Sequence, residues 1–325
     1  MRINNPIITI SLLVLQSAGF GQLQFCGFAD ILFVQDIEKP SASEIQQGQF
    51  ELDITAKLRP GISFEGAFAL NPETGTFEAG AGFIELTFIE ENVRHAARGE
   101  YFNHTGFSVG QFDVPFGIDW MHIASPDRRL VSAPLLNEKS INGWNDVGIN
   151  FHTDIGKTHL VAFLVNGASD GYAIGGRAAF APFDAVGMGV SYLSQTESSE
   201  SESKPQVIGG DLEITTASLS IRMEVHHSED LLDGDFSAID SISTHHGFYL
   251  QADLDLLDIL NIPLVLIGRY DGWSTVDNVE EAQRTTFGMA YTVTGGFEIR
   301  AEYLSDIINE EQDTQQLVLQ TLISF

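Results

Sequence analysis

The chain has 325 residues, a formal net charge of -29, 31 Gly, 10 Pro, 23 Phe and a single Cys. This charge excludes a nucleic-acid binder, which needs a basic footprint, and the lone cysteine excludes an internal disulfide framework. No apolar run after the N-terminus reaches the ~20 residues of a membrane helix, yet mean hydropathy sits near zero, as it would in a membrane β-barrel or a soluble β-sandwich.

Residues 1–21 read as a secretory signal. Arg2 supplies the positive start, Ile7 to Leu15 the short apolar segment, and Gly19 and Gly21 the small residues before a cut at Gln22. The mature chain, 22–325, is expected to be one domain. Cys26 follows Leu23-Gln24-Phe25. That is a poor lipid-attachment site, so Cys26 reads as an inert residue near the first strand. From there, apolar residues recur two apart rather than three and four apart, which predicts strands. In Phe50 to Leu58 every apolar residue falls on one face. Arg59-Pro60-Gly61 then turns the chain into Ile62 to Leu70. The same alternation marks Ala217 to His226, Phe248 to Asp255, Phe287 to Val293 and Phe297 to Tyr303. In the last strand Leu317, Leu319, Thr321, Ile323 and Phe325 share one face.

The links alternate short and long. Arg59 to Gly61, His152 to Lys157, Ala181 to Ala185, Thr215-Thr216 and Thr294 to Gly296 are short. Asp36 to Gln47, Gly117 to Ser140, Gln195 to Lys204, Ser228 to Ser243, Gly272 to Gln283 and Ser305 to Gln315 are long. Glu90 to His104 breaks the rhythm and is expected to hold an extra strand piece or a small helix. Strands of about ten residues with this asymmetry predict an all-β fold, a transmembrane antiparallel up-and-down β-barrel of about 16 strands, within 14–18. The expected lumen-facing set is Glu51, Asp53, Lys57, Arg177, Arg222, Glu224, Asp253, Arg269, Glu298, Arg300 and Glu302. Inward acids, Glu65, Glu85 and Asp271 among them, outnumber inward bases roughly two to one. His226 and His245 sit at facing strand ends on one rim and are candidate metal ligands, since imidazole suits zinc, copper or nickel. Exposed rim histidines without metal are the plainer reading.

The terminal Phe325 resembles the closing residue of bacterial outer-membrane barrels, which their assembly machinery reads. Val109-Gly110-Gln111-Phe112-Asp113-Val114-Pro115-Phe116-Gly117 resembles a stretch of the phosphate-selective porin O/P-like family. That resemblance implies a Gram-negative outer-membrane porin, in contact with lipid and lipopolysaccharide, and a homotrimer by analogy. It also implies that the loop after the fifth strand folds inward. Asp119, Trp120, His122, Asp127, Arg128, Arg129, Glu138 and Lys139 are then constriction candidates. The surplus of acids departs from phosphate selectivity, which needs an Arg/Lys ladder. The expected function is passive diffusion of small hydrophilic solutes or ions, with a cation preference. A non-conducting anchor or adhesin is the alternative. A hydrolase is a weaker one, because no Gly-x-Ser-x-Gly elbow occurs and Ser191, His152 and Asn150 form no evident triad. No enzyme activity and no cofactor are expected.

Overall fold

A computed structural model describes residues 23–39, 41, 43–71, 75–90, 104–140, 143–167, 171–196, 205–232, 242–275, 281–309 and 311–325. The expected signal segment lies outside them. The strands are β1 (Leu23–Asp36), β2 (Glu44–Arg59), β3 (Ile62–Asn71), β4 (Thr76–Glu90), β5 (His104–Asp113), β6 (Asn145–Ile155), β7 (Thr158–Asn166) and β8 (Tyr172–Phe183). They continue as β9 (Val186–Gln195), β10 (Gln206–Thr215), β11 (Leu219–Leu232), β12 (Ile242–Asp255), β13 (Leu264–Thr275), β14 (Glu281–Thr294), β15 (Phe297–Ile308) and β16 (Glu311–Ser324). Each pairs antiparallel with its sequence neighbours, and β16 pairs with β1, so the sixteen strands close into an up-and-down barrel.

The seam runs from Phe28 opposite Ser324 to Asp36 opposite Gln316. The Gly27 and Phe325 amides exchange hydrogen bonds of 3.0 Å beyond it. No sheet edge is left in lipid, where an unpaired backbone group costs several kcal/mol.

The outer face is apolar. Ile149, Leu164, Ile174, Val190, Ile208, Leu250, Met289, Ile299 and Leu319 are each 40–62% exposed. A second sheet would cover such a face in a soluble sandwich; here only a bilayer can. Tyr172, Tyr192 and Tyr270 stand outward towards one end of their strands, and Phe25, Phe183, Tyr291 and Phe325 towards the other. These are the positions of interfacial aromatic girdles. Cys26 is exposed on β1, its Sγ 3.8 Å from the Asp53 carboxylate.

Several link boundaries differ from expectation. The loop expected over Ser305 to Gln315 is strand: β15 reaches Ile308, β16 starts at Glu311, and Asn309 turns between them at φ 50°. Beyond the bilayer a ladder needs no apolar face, so strand persists there without alternation. The same extension carries β1 to Asp36, β11 to Leu232 and β13 to Thr275. A helical turn at Leu257–Leu260, closed by left-handed Asn261 (φ 56°), fills a link on the short-turn end. The exceptional link shrinks to 91–103 between β4 and β5 and lies outside the described residues, as do 197–204, 233–241 and 276–280.

Replacing outward Leu319 by Arg should lower barrel stability by roughly 2–4 kcal/mol if it lies at mid-bilayer, and less nearer an interface. The urea midpoint in lipid vesicles reports this. An unchanged midpoint would mean the outer face does not meet lipid.

Candidate lumen site

Residues 114–140, which follow β5, enter the barrel. The Val114 amide makes a last rung to the Trp144 carbonyl (2.8 Å), and Pro115 has no N–H to continue the ladder. Gly117 then adopts φ +70°, and a Cβ there would meet a Glu224 carboxylate oxygen at 1.7 Å. Only glycine permits both the turn and the approach. Phe116, 1% exposed, packs edge-on against the His226 ring at 4.9 Å. With Phe112 and Val114 it sits among Phe163, Val165, Ala173, Leu193 and Val207 on the inner wall. Further on, Leu135 and Leu136 pack on Tyr249, Trp273 and Ala282, Leu130 on Ile267 and Ala290, and Val131 on Leu304 and Val318. The segment therefore lines the wall from β7 round to β16.

Inward carboxylates hold its backbone. Glu302 accepts from the Val131 amide at 2.6 Å and the Ser132 amide at 3.1 Å. Asp271 accepts from the Leu135 amide at 3.1 Å, and Glu224 from the Ile118 amide at 3.3 Å. Asp30 accepts from the Ser125 hydroxyl at 2.5 Å and from the Gln320 amide at 2.8 Å. Arginines bind the loop's carbonyls. Arg269 donates to Ser132 and Ala133 O, both at 2.9 Å, and Arg300 to Ser125 O at 2.8 Å. These bonds involve ions and are stronger than neutral ones.

The constriction candidates all fall in this loop, but their surroundings differ. Asp119 is 3% exposed and accepts from the Tyr249 hydroxyl at 2.9 Å. Glu138 accepts from Arg284 at 2.7 Å. The His122 Nδ1 lies 3.0 Å from the Asp127 carbonyl. Burial, with the Arg222 guanidinium next, holds His122 down at about 4, and burial beside Asp53 pushes the Asp127 carboxyl up. Trp120, Arg128, Arg129 and Lys139 are half-buried, with Arg129 4.0 Å from Glu298.

The lumen-facing candidates divide. Arg177 pairs with Asp211, Arg269 with Asp271 at 2.9 Å, and Arg300 with Glu298 at 2.7 Å. Arg222 is buried 3.6 Å from Asp119. Glu224 and Glu302 are buried against the loop, and Asp253 accepts from Gln251 at 2.9 Å. Lys57 is exposed near the short-turn end of β2. Glu51 instead neighbours Asp53, Asp113 and Asp127, and Glu65 neighbours Glu85 and Asp53.

The candidate metal ligands have other partners. His226 Nε2 is 2.7 Å from buried Glu224, and its Nδ1 is 3.3 Å from the Ser140 hydroxyl. His245 stacks on Trp273 at 4.9 Å. Among the described residues no three His, Cys, Asp or Glu are grouped to hold a metal. Ser191 accepts from the Gly117 amide at 3.0 Å, while His152 faces Glu85 at 3.1 Å, so the two meet different partners.

Sequence reasoning missed the apolar inner wall. Its signal was present in His159-Leu160-Val161-Ala162-Phe163-Leu164-Val165, which is apolar on both faces, as a strand buried on both sides must be.

Glu302→Ala leaves the Val131 and Ser132 amides without acceptors and should weaken loop docking by roughly 1–3 kcal/mol. Faster amide exchange at Val131 and Ser132, with barrel amides unchanged, is the expected readout. A second outcome follows from His122. Its docked value of about 4 lies below the ordinary 6.5, so its contribution to docking is complete above pH 6.5 and is lost as pH falls towards 4. Protection factors of the loop amides, after correction for the slower intrinsic exchange at lower pH, should fall between pH 7 and pH 5, and less so in His122→Phe.

No protein-family model matches the chain, and no curated protein does. The likeness to O/P porins therefore rests on Gln111 to Gly117 alone. Solved structures do match in shape. OmpT (in-vitro folded) of Vibrio cholerae, in trimer form, superposes with a TM-score of 0.68 at 10% identity, over 94% of this chain and 99% of that one. An anion-selective porin from Comamonas acidovorans gives 0.67 at 11% identity, over 94% and 99%. The outer membrane channel DcaP of Acinetobacter baumannii gives 0.63 at 11%, over 95% and 100%. The chain thus has the fold of outer-membrane β-barrels along its whole described length.

Proposed function

We propose that this chain is a porin of the Gram-negative outer membrane, giving passive diffusion to small hydrophilic solutes and ions and preferring cations. The observation that carries this reading is a lipid-facing closed barrel with a loop bound inside its lumen. The loop's hydrogen-bonding anchors lie on β1 (Asp30), β2 (Gln49, which accepts from the Ser125 amide at 2.8 Å), β9 (Ser191) and β11 to β16. The passage left along β2 to β5 is lined by Glu51, Asp53, Glu65 and Glu85, with Asp113 and Asp127 close by. These carboxylates outnumber Lys57, the lumen-facing base of β2, and so make a net negative wall, which attracts cations and repels anions. One structural neighbour is named anion-selective; the acidic wall argues for the opposite sign here. The trimer form of another neighbour and the aromatic-ringed outer surface support a homotrimer in lipid and lipopolysaccharide. The exposed, terminal Phe325 is the residue we assign to recognition by the barrel assembly machinery, and residues 1–21 to the export signal.

Planar-bilayer recordings test this. The folded chain should conduct, and a KCl gradient should give a reversal potential of cationic sign that shrinks in Glu51→Gln/Asp53→Asn. Absence of conductance sinks the channel and leaves the anchor reading; an anionic reversal potential sinks the charge argument.

A further inference from the structure

Two histidines take no part in the lumen or its loop. His227 of β11 and His246 of β12 pair directly across their strands. His226 and His245 are buried on the inner side, so their neighbours His227 and His246 point outward. His246 is exposed and His227 half-buried. Ile208 is in register with both His227 and Tyr192, which places the pair near the outward tyrosines, where side chains meet headgroups and water.

The two Nδ1 atoms are 3.1 Å apart, the ring centroids 4.7 Å apart, and the ring planes differ by 21°. A linear N–H···N bond would set the rings end to end, and these lie side by side, so a hydrogen bond between them is bent. The nitrogens are closer than the centroids, which fits two rings diverging from one point beside both nitrogens. Metal–nitrogen bonds of about 2.0–2.1 Å from such a point meet at about 95°. That is the angle between neighbouring ligands of tetragonal copper or nickel, and is narrower than tetrahedral zinc prefers. Glu229 Oε1 stands 3.5 Å from His227 Nε2. A carboxylate there favours the proton on Nε2 and leaves the lone pair on Nδ1, and such a carboxylate is the usual outer partner of a metal-bound imidazole. The register of β11 against β12 shifts between Ser228 and Leu231, so Glu229 sits in a bulge, a device that re-aims side chains.

We propose that His227 and His246 bind one divalent transition-metal ion through their Nδ1 atoms on the outer surface of the barrel, with Cu²⁺ preferred over Ni²⁺ and Zn²⁺. Among the described residues no third His, Cys, Asp or Glu completes a group of three. Water therefore takes the remaining positions, and the site is open. Ligand softness agrees with the angle, since imidazole suits all three ions and Cu²⁺ binds nitrogen most tightly of them. The site faces away from the lumen and does not depend on whether the barrel conducts. The competing account of the same contact is one proton shared between two imidazoles, with no ion.

Equilibrium dialysis of the refolded full chain in detergent against CuCl₂, NiCl₂ or ZnCl₂, with electron paramagnetic resonance of the copper form, tests this. Cu²⁺ should bind saturably, and its spectrum should carry two imidazole nitrogens. Ni²⁺ and Zn²⁺ should bind about tenfold or more weakly. His227→Ala and His246→Ala should each weaken copper binding about tenfold or more and remove one nitrogen from the spectrum, with the folded barrel's electrophoretic mobility kept. His159→Ala, at the other end of the barrel, should change neither reading. Absence of saturable copper binding overturns the proposal and leaves the shared proton. So does Zn²⁺ binding as tightly as Cu²⁺, or a correctly folded His246→Ala that binds copper unchanged. If a variant fails to fold, the nitrogen count on the unaltered protein decides, and fewer than two overturns the site.

Discussion

Inside a bilayer each backbone N–H and C=O must find its partner within the protein. For a sheet this leaves one solution, the pairing of its first and last strands. The seam from Phe28–Ser324 to Asp36–Gln316, with Gly27 and Phe325 locked beyond it, is that pairing. Closure decides the rest by parity. Once β16 lies beside β1, Leu319 and Ile323 must face lipid, and Gln320 and Leu322 must face inward. A shift of one residue would reverse every side chain in the seam.

Closure also creates an interior too polar to pack as an oil drop. Glu224, Asp271, Glu302 and Asp30 are nearly or wholly buried there and need donors. The loop after β5 has the reciprocal need, because it enters a space where its amides cannot all reach water. Each satisfies the other: Ile118, Leu135, Val131 and Ser132 donate, and the wall accepts. The hydrophobic contacts around Phe116 and Leu136 position the loop, and the carboxylates fix its register. Gly117 follows from the same arrangement, since any Cβ at that point would displace the Glu224 carboxylate.

Strands inside the membrane were legible because lipid on one side and lumen on the other force period-two alternation. Their extensions were not. Residues 305–315 show no sustained apolar alternation in the sequence, and a polar run reads as a loop. The inward turn at Val114 to Gly117 was legible from Pro and Gly, whose backbone limits are local. What the loop binds was not, since Glu302 and Val131 are 171 residues apart and each looks ordinary in its own segment. Leu257–Leu260 was hidden by its brevity, one helical turn being too short to show a period. His226 and His245 were expected at facing strand ends on an exposed rim, but β11 runs on to Leu232 and β12 starts at Ile242, and both rings are buried: His226 answers a buried glutamate and His245 stacks on an indole.

The acids show why net charge alone is a poor guide to a pore. Counted along the sequence, inward carboxylates form a single excess. In three dimensions they separate into three groups. Asp211, Glu298 and Asp306 neutralise arginines, and Asp271 both pairs with Arg269 and anchors the loop. Glu302, Glu224 and Asp30 are bound by amide, imidazole and hydroxyl donors of the loop and wall. Glu51, Asp53 and Glu65 have chiefly one another. The arginine-paired acids add little to the field a passing ion meets, because a buried pair is nearly neutral a few ångströms away, whereas the last group adds its charge directly at the lumen surface. In the proposed channel, selectivity would therefore fall to a few residues on β2 and β3, while a larger number of identical side chains hold the loop against the wall.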